Sequence, residues 1–329
     1  MTTVSVVIAT RDRPDDLSRC LKALQRLKWP PVEIIVVDAS STDESRALVE
    51  RQGASVYLSV PPHLASIPYQ ENYGVTAASG DIVTLIDDDA VPEPEWIEQL
   101  VRAFEIGPEV GVVGGRAIDP TYWPWDGHSP IGRMLPDGRR TQGFNGNPRQ
   151  IIEVDYVVGL NMAFRREVFK EVGGFDERFE GTAAFFEPDF CLRVRRRGYK
   201  VLFNPHAVVY HLPSSRRPIN RDSAFAMYHA RRNEFYFLRK HFPMKGTVVV
   251  RAITRTLFWY RWRLLAVDAV RTIQSYFMGI AGAISGVRRT IPGSTGTGAT
   301  TGNETTSYCG PRWEDHPAAG HIWQSDEVF

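Results

Sequence analysis

The sequence predicts an α/β fold, with a mostly parallel sheet flanked by helices and a helical C-terminal extension. Three observations carry that prediction. Short runs rich in Val and Ile alternate with segments of helical period through residues 4–118, as parallel βαβ units require. Several of those runs stop abruptly at acidic or hydroxylated residues, which marks strand ends. The 329 residues, 43% hydrophobic and 23% charged, suffice for one large core or two domains of an ordinary globular protein.

Val4-Ser5-Val6-Val7-Ile8-Ala9 opens the chain as a strand, and Pro14–Leu27 follows as a helix with Leu17, Leu21 and Leu24 on one face. Glu33–Asp38 is a second buried strand. The helix expected over residues 40–52 places Asp43 and Glu44 in its first turn, where the dipole favours negative charge. Ala54–Ser59 is a third strand, and Tyr69–Ser79 a helix closed by Gly80-Asp81. Ile82–Ile86 is a fourth strand, Pro94–Phe104 a helix with proline near its first position, and Gly111–Gly115 a further parallel strand. Residues 119–150 are rich in Gly, Pro, Trp and Arg without periodicity, and read as a long loop over a site. Order resumes over 151–211, where residues 201–211 read as a strand pair. Residues 224–290 are mostly helical. From Pro292 onward Gly, Ser, Thr and Asn dominate, as in a disordered tail.

Charge is unevenly spread. Residues 1–190 carry 18 Lys and Arg against 30 Asp and Glu, whereas residues 191–329 carry 21 against 8. The basic half suits an anionic partner. Between Lys245 and Arg289 only Asp268 is acidic. There Ile253, Leu257, Tyr260 and Leu264 share a helical face opposite Arg251 and Arg255, amid Trp259, Trp262, Phe258 and Phe277. That composition suits an anionic membrane surface, with a helical subdomain or dimer interface as the alternative. It lacks the aromatic-interleaved basic groove of a nucleic-acid binder, so no nucleic acid is expected. Cys20, Cys191 and Cys309 form neither a metal-ligand spacing nor a disulfide framework. No signal peptide and no run of about 18–20 apolar residues is read, so the expected location is cytoplasmic, with a peripheral place on the inner face of the cell membrane as the option that the basic segment adds.

The chemistry concentrates at Asp87-Asp88-Asp89, directly after an apolar strand. Three adjacent carboxylates repel one another and are costly to desolvate unless a cation neutralises them. Carboxylate oxygens suit Mg²⁺ or Mn²⁺, which bridge readily to phosphates. A solvated acidic turn is the alternative for an isolated cluster of this kind. Thr10 and Arg13 follow the first strand in Thr10-Arg11-Asp12-Arg13-Pro14, and Asp38 ends the second. The absence of a G-x-G-x-x-G argues against a dinucleotide-binding domain.

Taken together, Val4–Pro14, Val36–Asp43, Asn72–Asp89 and Gly159–Arg197 resemble an inverting glycosyltransferase of family 2 with the GT-A fold, a Rossmann-like sheet. The resemblance covers roughly residues 3–240. It implies a catalytic domain over 1–222, with a nucleotide-sugar half 1–118 and an acceptor half 151–222. A helical region 223–291 and the tail 292–329 follow. It also implies a metal-dependent transfer from a nucleoside diphosphate sugar to a hydroxyl on a glycan, lipid or small molecule, such as a cell-envelope glycan. Thr10, Arg13, Asp38, Asn72, Asp87, Asp88, Asn161 and Arg193 would bind the nucleotide sugar. Asp89, Asp87 and His211 would hold Mn²⁺ or Mg²⁺. Glu187 would be the general base, with Asp189 as the alternative; Asp189 also reads as a helix cap or a partner for Arg193. Arg232 and Asn233 would close over the diphosphate or simply belong to a structural helix. Glu71 departs from the family, which usually has a basic residue directly before that Asn. A nucleotidyltransferase and a non-catalytic nucleotide- or membrane-binding protein are the rival readings. The first would need a glycine-rich basic loop after strand one, and Thr10–Pro14 has none.

Overall fold

The computed structural model describes residues 2–119, 125–212 and 224–242, together with 277, 278, 280–282 and 285. Apart from those few positions, the expectations for 243–291 and for the tail 292–329 lie outside the described residues.

The first half folds as the apolar runs dictate. β1 (Val4–Thr10) pairs in parallel with β2 (Glu33–Asp38) on one side and β4 (Ile82–Ile86) on the other, and β3 (Val56–Ser59) adds to β2. The helices α1 (Pro14–Leu24), α2 (Glu44–Gln52) and α3 (Ile67–Ala77) make the crossovers. Pro14 sits at the first turn of α1, where its missing N–H costs nothing. α3 lies close on β1 because Gly74 has no side chain; a Cβ there would overlap Val7. Val6, Ile8, Val36, Ile82 and Ile86 pack with Leu17, Leu21 and Leu24 in one buried core. Each such side chain contributes roughly 1.5–3 kcal/mol on burial.

The second half is mixed rather than parallel. β5 (Ala90–Pro92), α4 (Trp96–Phe104), β6 (Val110–Ile118), β7 (Ile152–Glu153), β8 (Asn161–Arg165), α5 (Arg166–Val172), α6 (Phe186–Arg196) and β9 (Lys200–His211) follow in order. The sheet runs β3-β2-β1-β4-β8-β6-β9-β5, with β7 also against β9. β8 therefore inserts between β4 and β6, antiparallel to both, which a run of apolar residues does not encode. Pro94 precedes the cap residue Glu95, so α4 begins at Trp96 rather than at the proline. Residues 200–211 form one continuous strand, not a strand pair. Its pairing with β6 slips between Gly115↔Asn204 and Arg116↔Val208, a bulge that leaves three extra residues on β9.

Under β8, α5 and α6 lies a cluster of rings. Phe164 stacks on Phe169 at 4.8 Å, and Phe175 meets Phe190 at 4.8 Å and Phe186 at 5.2 Å. Each such pair adds about 0.5–1.5 kcal/mol beyond its burial. Gly173 and Gly174, both at positive φ, turn the chain from α5 back towards this cluster.

The described residues of 2–177 and 186–212 form one unit. Residues 178–185 group instead with α7 (Ala224–His241) in a second unit. There the buried Arg232 donates to the Arg178 carbonyl at 2.8 Å and pairs with Glu180 at 3.2 Å, while Asn233 donates to the Glu180 carbonyl at 2.9 Å. These two side chains tie α7 to its own short segment.

Candidate functional site

The turn after β4 divides its three acids between two directions. Asp88 is fully buried. Its Oδ2 accepts from the Thr10 hydroxyl at 2.7 Å, and Arg13 Nη2 lies 2.5 Å from its Oδ1. The second guanidinium nitrogen of Arg13 donates to Asp89 Oδ2 at 2.8 Å. Burial pushes the Asp88 carboxyl up, and Arg13 is the strongest influence opposing it. Thr10 and Arg13, expected at the nucleotide, are thus held against neighbouring carboxylates. Asp88 is an inward anchor of the turn. Replacing Arg13 with Met should therefore destabilise the protein by about 3–5 kcal/mol in urea denaturation, because two buried carboxylates lose their cation. A variant as stable as the parent would refute this account of the turn.

Asp87 and Asp89 remain on the other side, where β9 brings His211. The register explains the meeting. Ala90 pairs with His211 across β5 and β9, and Leu212 N–H donates to the Asp89 carbonyl at 2.9 Å. His211 Nε2 lies 3.2 Å from Asp89 Oδ1, and Nδ1 lies 2.7 Å from Asp119 Oδ2. Asp87, Asp89 and His211 each offer one ligand atom, and these atoms lie within 4.8 Å of one another. The two carboxylates suit Mn²⁺ or Mg²⁺, and the imidazole nitrogen favours Mn²⁺ of the two, so the residues present fit the implied metal. Burial alone would lower the His211 imidazole, but its hydrogen bond with Asp89 and the charges of Asp89 and Asp87 outweigh it and raise it to about 9. A metal would have to displace that proton.

The remaining expected residues fall into two groups. Asp38 ends β2 with its carboxylate engaged by Tyr57 OH at 2.8 Å and Ser40 N–H at 2.8 Å. It stays on the same rim as Thr10, its register partner. Asn72, Asn161 and Arg193 act inside the protein. The Asn72 amide donates to the Phe175 carbonyl and Glu177 and accepts from the Phe175 N–H, which clips α3 to the turn after α5. Arg193 donates to the carbonyls of Val172 and Gly174 and to Asp189 Oδ2 at 2.9 Å. Asp189 is fully buried within the first turn of α6, as partner of Arg193 rather than as cap. Arg195 reaches Asp155 at 2.6 Å and the Val154 carbonyl.

Asn161 opens β8 with no exposed surface. Its Oδ1 accepts from the Trp96 indole at 2.8 Å, and its Nδ2 donates to the carbonyls of Arg116 and Ala207. Removing the amide in Asn161→Ala strands buried groups that cost about 1–3 kcal/mol each. The variant should unfold at lower urea than the parent; an unchanged midpoint would refute this structural role of the amide.

Glu187 lies in the first turn of α6, half-buried, and its Oε1 accepts the Gly159 N–H at 3.2 Å. Burial raises its carboxyl above the ordinary range, Asp87 adds to the rise, and Arg140 opposes it. Glu71, on α3, is buried with no hydrogen-bond partner for Oε2. Burial, then Glu187 and Asp87, hold it well above the usual carboxylate range. The Glu71 and Glu187 carboxyls thus both feel the charge of Asp87. Sequence reasoning missed Arg140, which the long loop supplies, and Asp119. Arg140 carried no signal beyond a basic pair in an aperiodic loop.

Comparison with known proteins bears on the family and the fold. The family model described as glycosyl transferase family 2 matches residues 5–173. A glucosyl-dolichyl phosphate glucuronosyltransferase of Haloferax volcanii is 30% identical over 223 residues, 63% of this chain and 68% of that protein. A pre-mycofactocin glycosyltransferase of Mycobacterium tuberculosis is 28% identical over 219 residues, 63% of this chain and 42% of its own length. Among solved structures, a mannosyltransferase from Pyrobaculum calidifontis in complex with GDP-Man and Mn²⁺ superposes with a TM-score of 0.55 at 15% identity, covering 88% of each chain. Staphylococcus aureus TarS 1–349 gives 0.56 at 15% identity, covering 87% of this chain and 81% of that one. These likenesses show the fold.

Proposed function

Because the chain belongs to glycosyl transferase family 2, it is a glycosyltransferase with a GT-A fold, and we propose that it transfers a sugar with inversion from a nucleoside diphosphate to a hydroxyl acceptor. The observation that supports this most is the convergence of Asp87, Asp89 and His211, whose ligand atoms lie within 4.8 Å of one another.

Asp87, Asp89 and His211 would hold Mn²⁺ or Mg²⁺. When bound, the metal neutralises the charge that develops on the departing diphosphate. Arg13 keeps Asp88 and Asp89 fixed so that the turn need not reorganise. The Gly159 N–H holds Glu187 Oε1, which leaves Oε2 to take the acceptor hydroxyl proton. As that proton moves, the acceptor oxygen bonds to the anomeric carbon from the face opposite the diphosphate. The bond from that carbon to the diphosphate oxygen breaks with its electron pair, and a nucleoside diphosphate leaves. A raised carboxyl pKa suits a base that works near neutral pH. Asp189 serves this reading as a positioning residue, because its carboxylate is committed to Arg193.

The acceptor is proposed to be a glycan or lipid at an anionic membrane surface. That reading draws on the basic, aromatic sequence of 245–289 and on the Haloferax relative, whose name specifies a glucosyl-dolichyl phosphate. No described helix is long and apolar enough to cross a membrane. The test is thermal stabilisation by UDP, GDP, dTDP and CDP, each with Mn²⁺ or Mg²⁺. One nucleotide should stabilise the protein, and only when the metal is present. Stabilisation equal in EDTA would overturn the metal-dependent reading; stabilisation by none of the four would overturn the donor class.

A further inference from the structure

The metal reading leaves unexplained why a fourth carboxylate, Asp119, is buried behind His211. Asp119 is 4% exposed and His211 6% exposed, with Asp119 Oδ2 2.7 Å from His211 Nδ1. The imidazole is thus gripped on one nitrogen and presents the other, Nε2, towards Asp89. A carboxylate buried at a strand end is costly unless it is satisfied, and the His211 imidazole is one partner that satisfies it.

The pairing is built into the register. β6 and β9 run parallel with Ile118 opposite Tyr210, so the next residues along each strand are Asp119 and His211. That alignment exists because of the bulge at 205–207. Without its three extra residues, a different part of β9 would stand beside residue 119. The bulge therefore brings an acid and a histidine, 92 residues apart, into contact at the place where Asp87 and Asp89 end.

We propose that Asp119 is the positioning residue of the metal site: it holds the His211 ring and fixes its Nδ1 as the protonated nitrogen, so that Nε2 is the ligand atom. The inference rests on the reading of Asp87, Asp89 and His211 as metal ligands. Carboxylates that orient a ligating imidazole in this way also raise its basicity, and their loss typically costs about 10–100-fold in metal affinity.

The test is Mn²⁺ binding by the whole 329-residue chain, followed by loss of the free-ion EPR signal, alone and with UDP, GDP, dTDP or CDP. Histidine nitrogen coupling to the bound ion is read by pulsed EPR. Circular dichroism and the melting temperature check that each variant folds. Asp119→Ala should weaken Mn²⁺ binding about 10–100-fold and alter the nitrogen coupling. Asp119→Asn keeps an oxygen that can accept from Nδ1–H but lacks the charge, so it should lose less than the alanine variant. His211→Ala should abolish the coupling. If His211→Ala weakens binding while Asp119→Ala binds Mn²⁺ with parental affinity and coupling, the positioning role is overturned and the metal reading stands. If the parent binds no Mn²⁺ with any of the nucleotides, or His211→Ala binds as the parent does, the metal reading itself fails. Should Asp119→Ala not fold, Asp119→Asn decides: parental affinity and coupling overturn the proposal, and weakened binding with altered coupling supports it.

Discussion

Glu187→Gln is expected to lower transfer by about 10²–10⁴-fold, the usual contribution of a positioned base. The folded state should survive the change, because glutamine keeps the oxygen that accepts from Gly159 N–H. It should even gain a little stability at neutral pH. The Glu187 carboxyl is raised in the folded protein, so its ionised form is disfavoured there; that penalty is absent at low pH and appears as pH rises through the folded value. Glutamine removes the penalty, along with the repulsion of Asp87. Nucleoside diphosphate binding should be unaffected. The parent enzyme should lose activity on acidification at a pH above the ordinary glutamate range, as the base takes up a proton. Initial rates with single-turnover controls, a pH profile and a melting curve check all of this. Parental turnover in the glutamine variant would remove Glu187 from the base position, and Asp189→Asn would be the next variant to assay.

Asp89→Asn should have the second large effect, a loss of transfer exceeding about 10²-fold, since even partners that merely orient a metal ligand cost 10–100-fold. Asp89 is the point where two arrangements meet. One oxygen takes the guanidinium of Arg13 at 2.8 Å, and the other faces His211 Nε2 at 3.2 Å. Substitution therefore weakens Mn²⁺ affinity directly and loosens the turn that carries Asp87. The check is the Mn²⁺ dependence of the rate. A half-saturating concentration unchanged from the parent would show that Asp89 does not serve the metal. Asp88→Asn offers the contrast: Asp88 is buried against Thr10 and Arg13, so its loss should appear first in stability.

How much of this was readable before the fold was known differs from residue to residue. The acid turn was legible, because an apolar strand that breaks into three carboxylates is expensive unless a cation or a guanidinium answers it. Thr10 and Asp38 were legible as strand ends, since period and strand length fix where a run stops. Their partners were not. Thr10 meets Asp88 across 78 residues and Arg13 meets Asp89 across 76, and nothing local distinguishes a guanidinium bound to a carboxylate from one awaiting a phosphate. Asn72, Asn161 and Arg193 carried a motif resemblance, and their hydrogen bonds also satisfy backbone groups. Amides and guanidinium groups serve either task, and packing chooses.

The sequence by itself determined the α/β class, the parallel half from β1 to β4, and the identity of the acids that end β4. These follow from local periodicity and from the cost of adjacent carboxylates, both of which are written in consecutive residues. Only the tertiary structure decided that β8 enters between β4 and β6, that a bulge in β9 sets His211 beside Asp119, and that Glu71 is buried on α3. Those facts depend on strand direction, on register and on which buried group lies nearest. They are long-range choices settled by the packing free energy of the whole domain, and no single segment carries them.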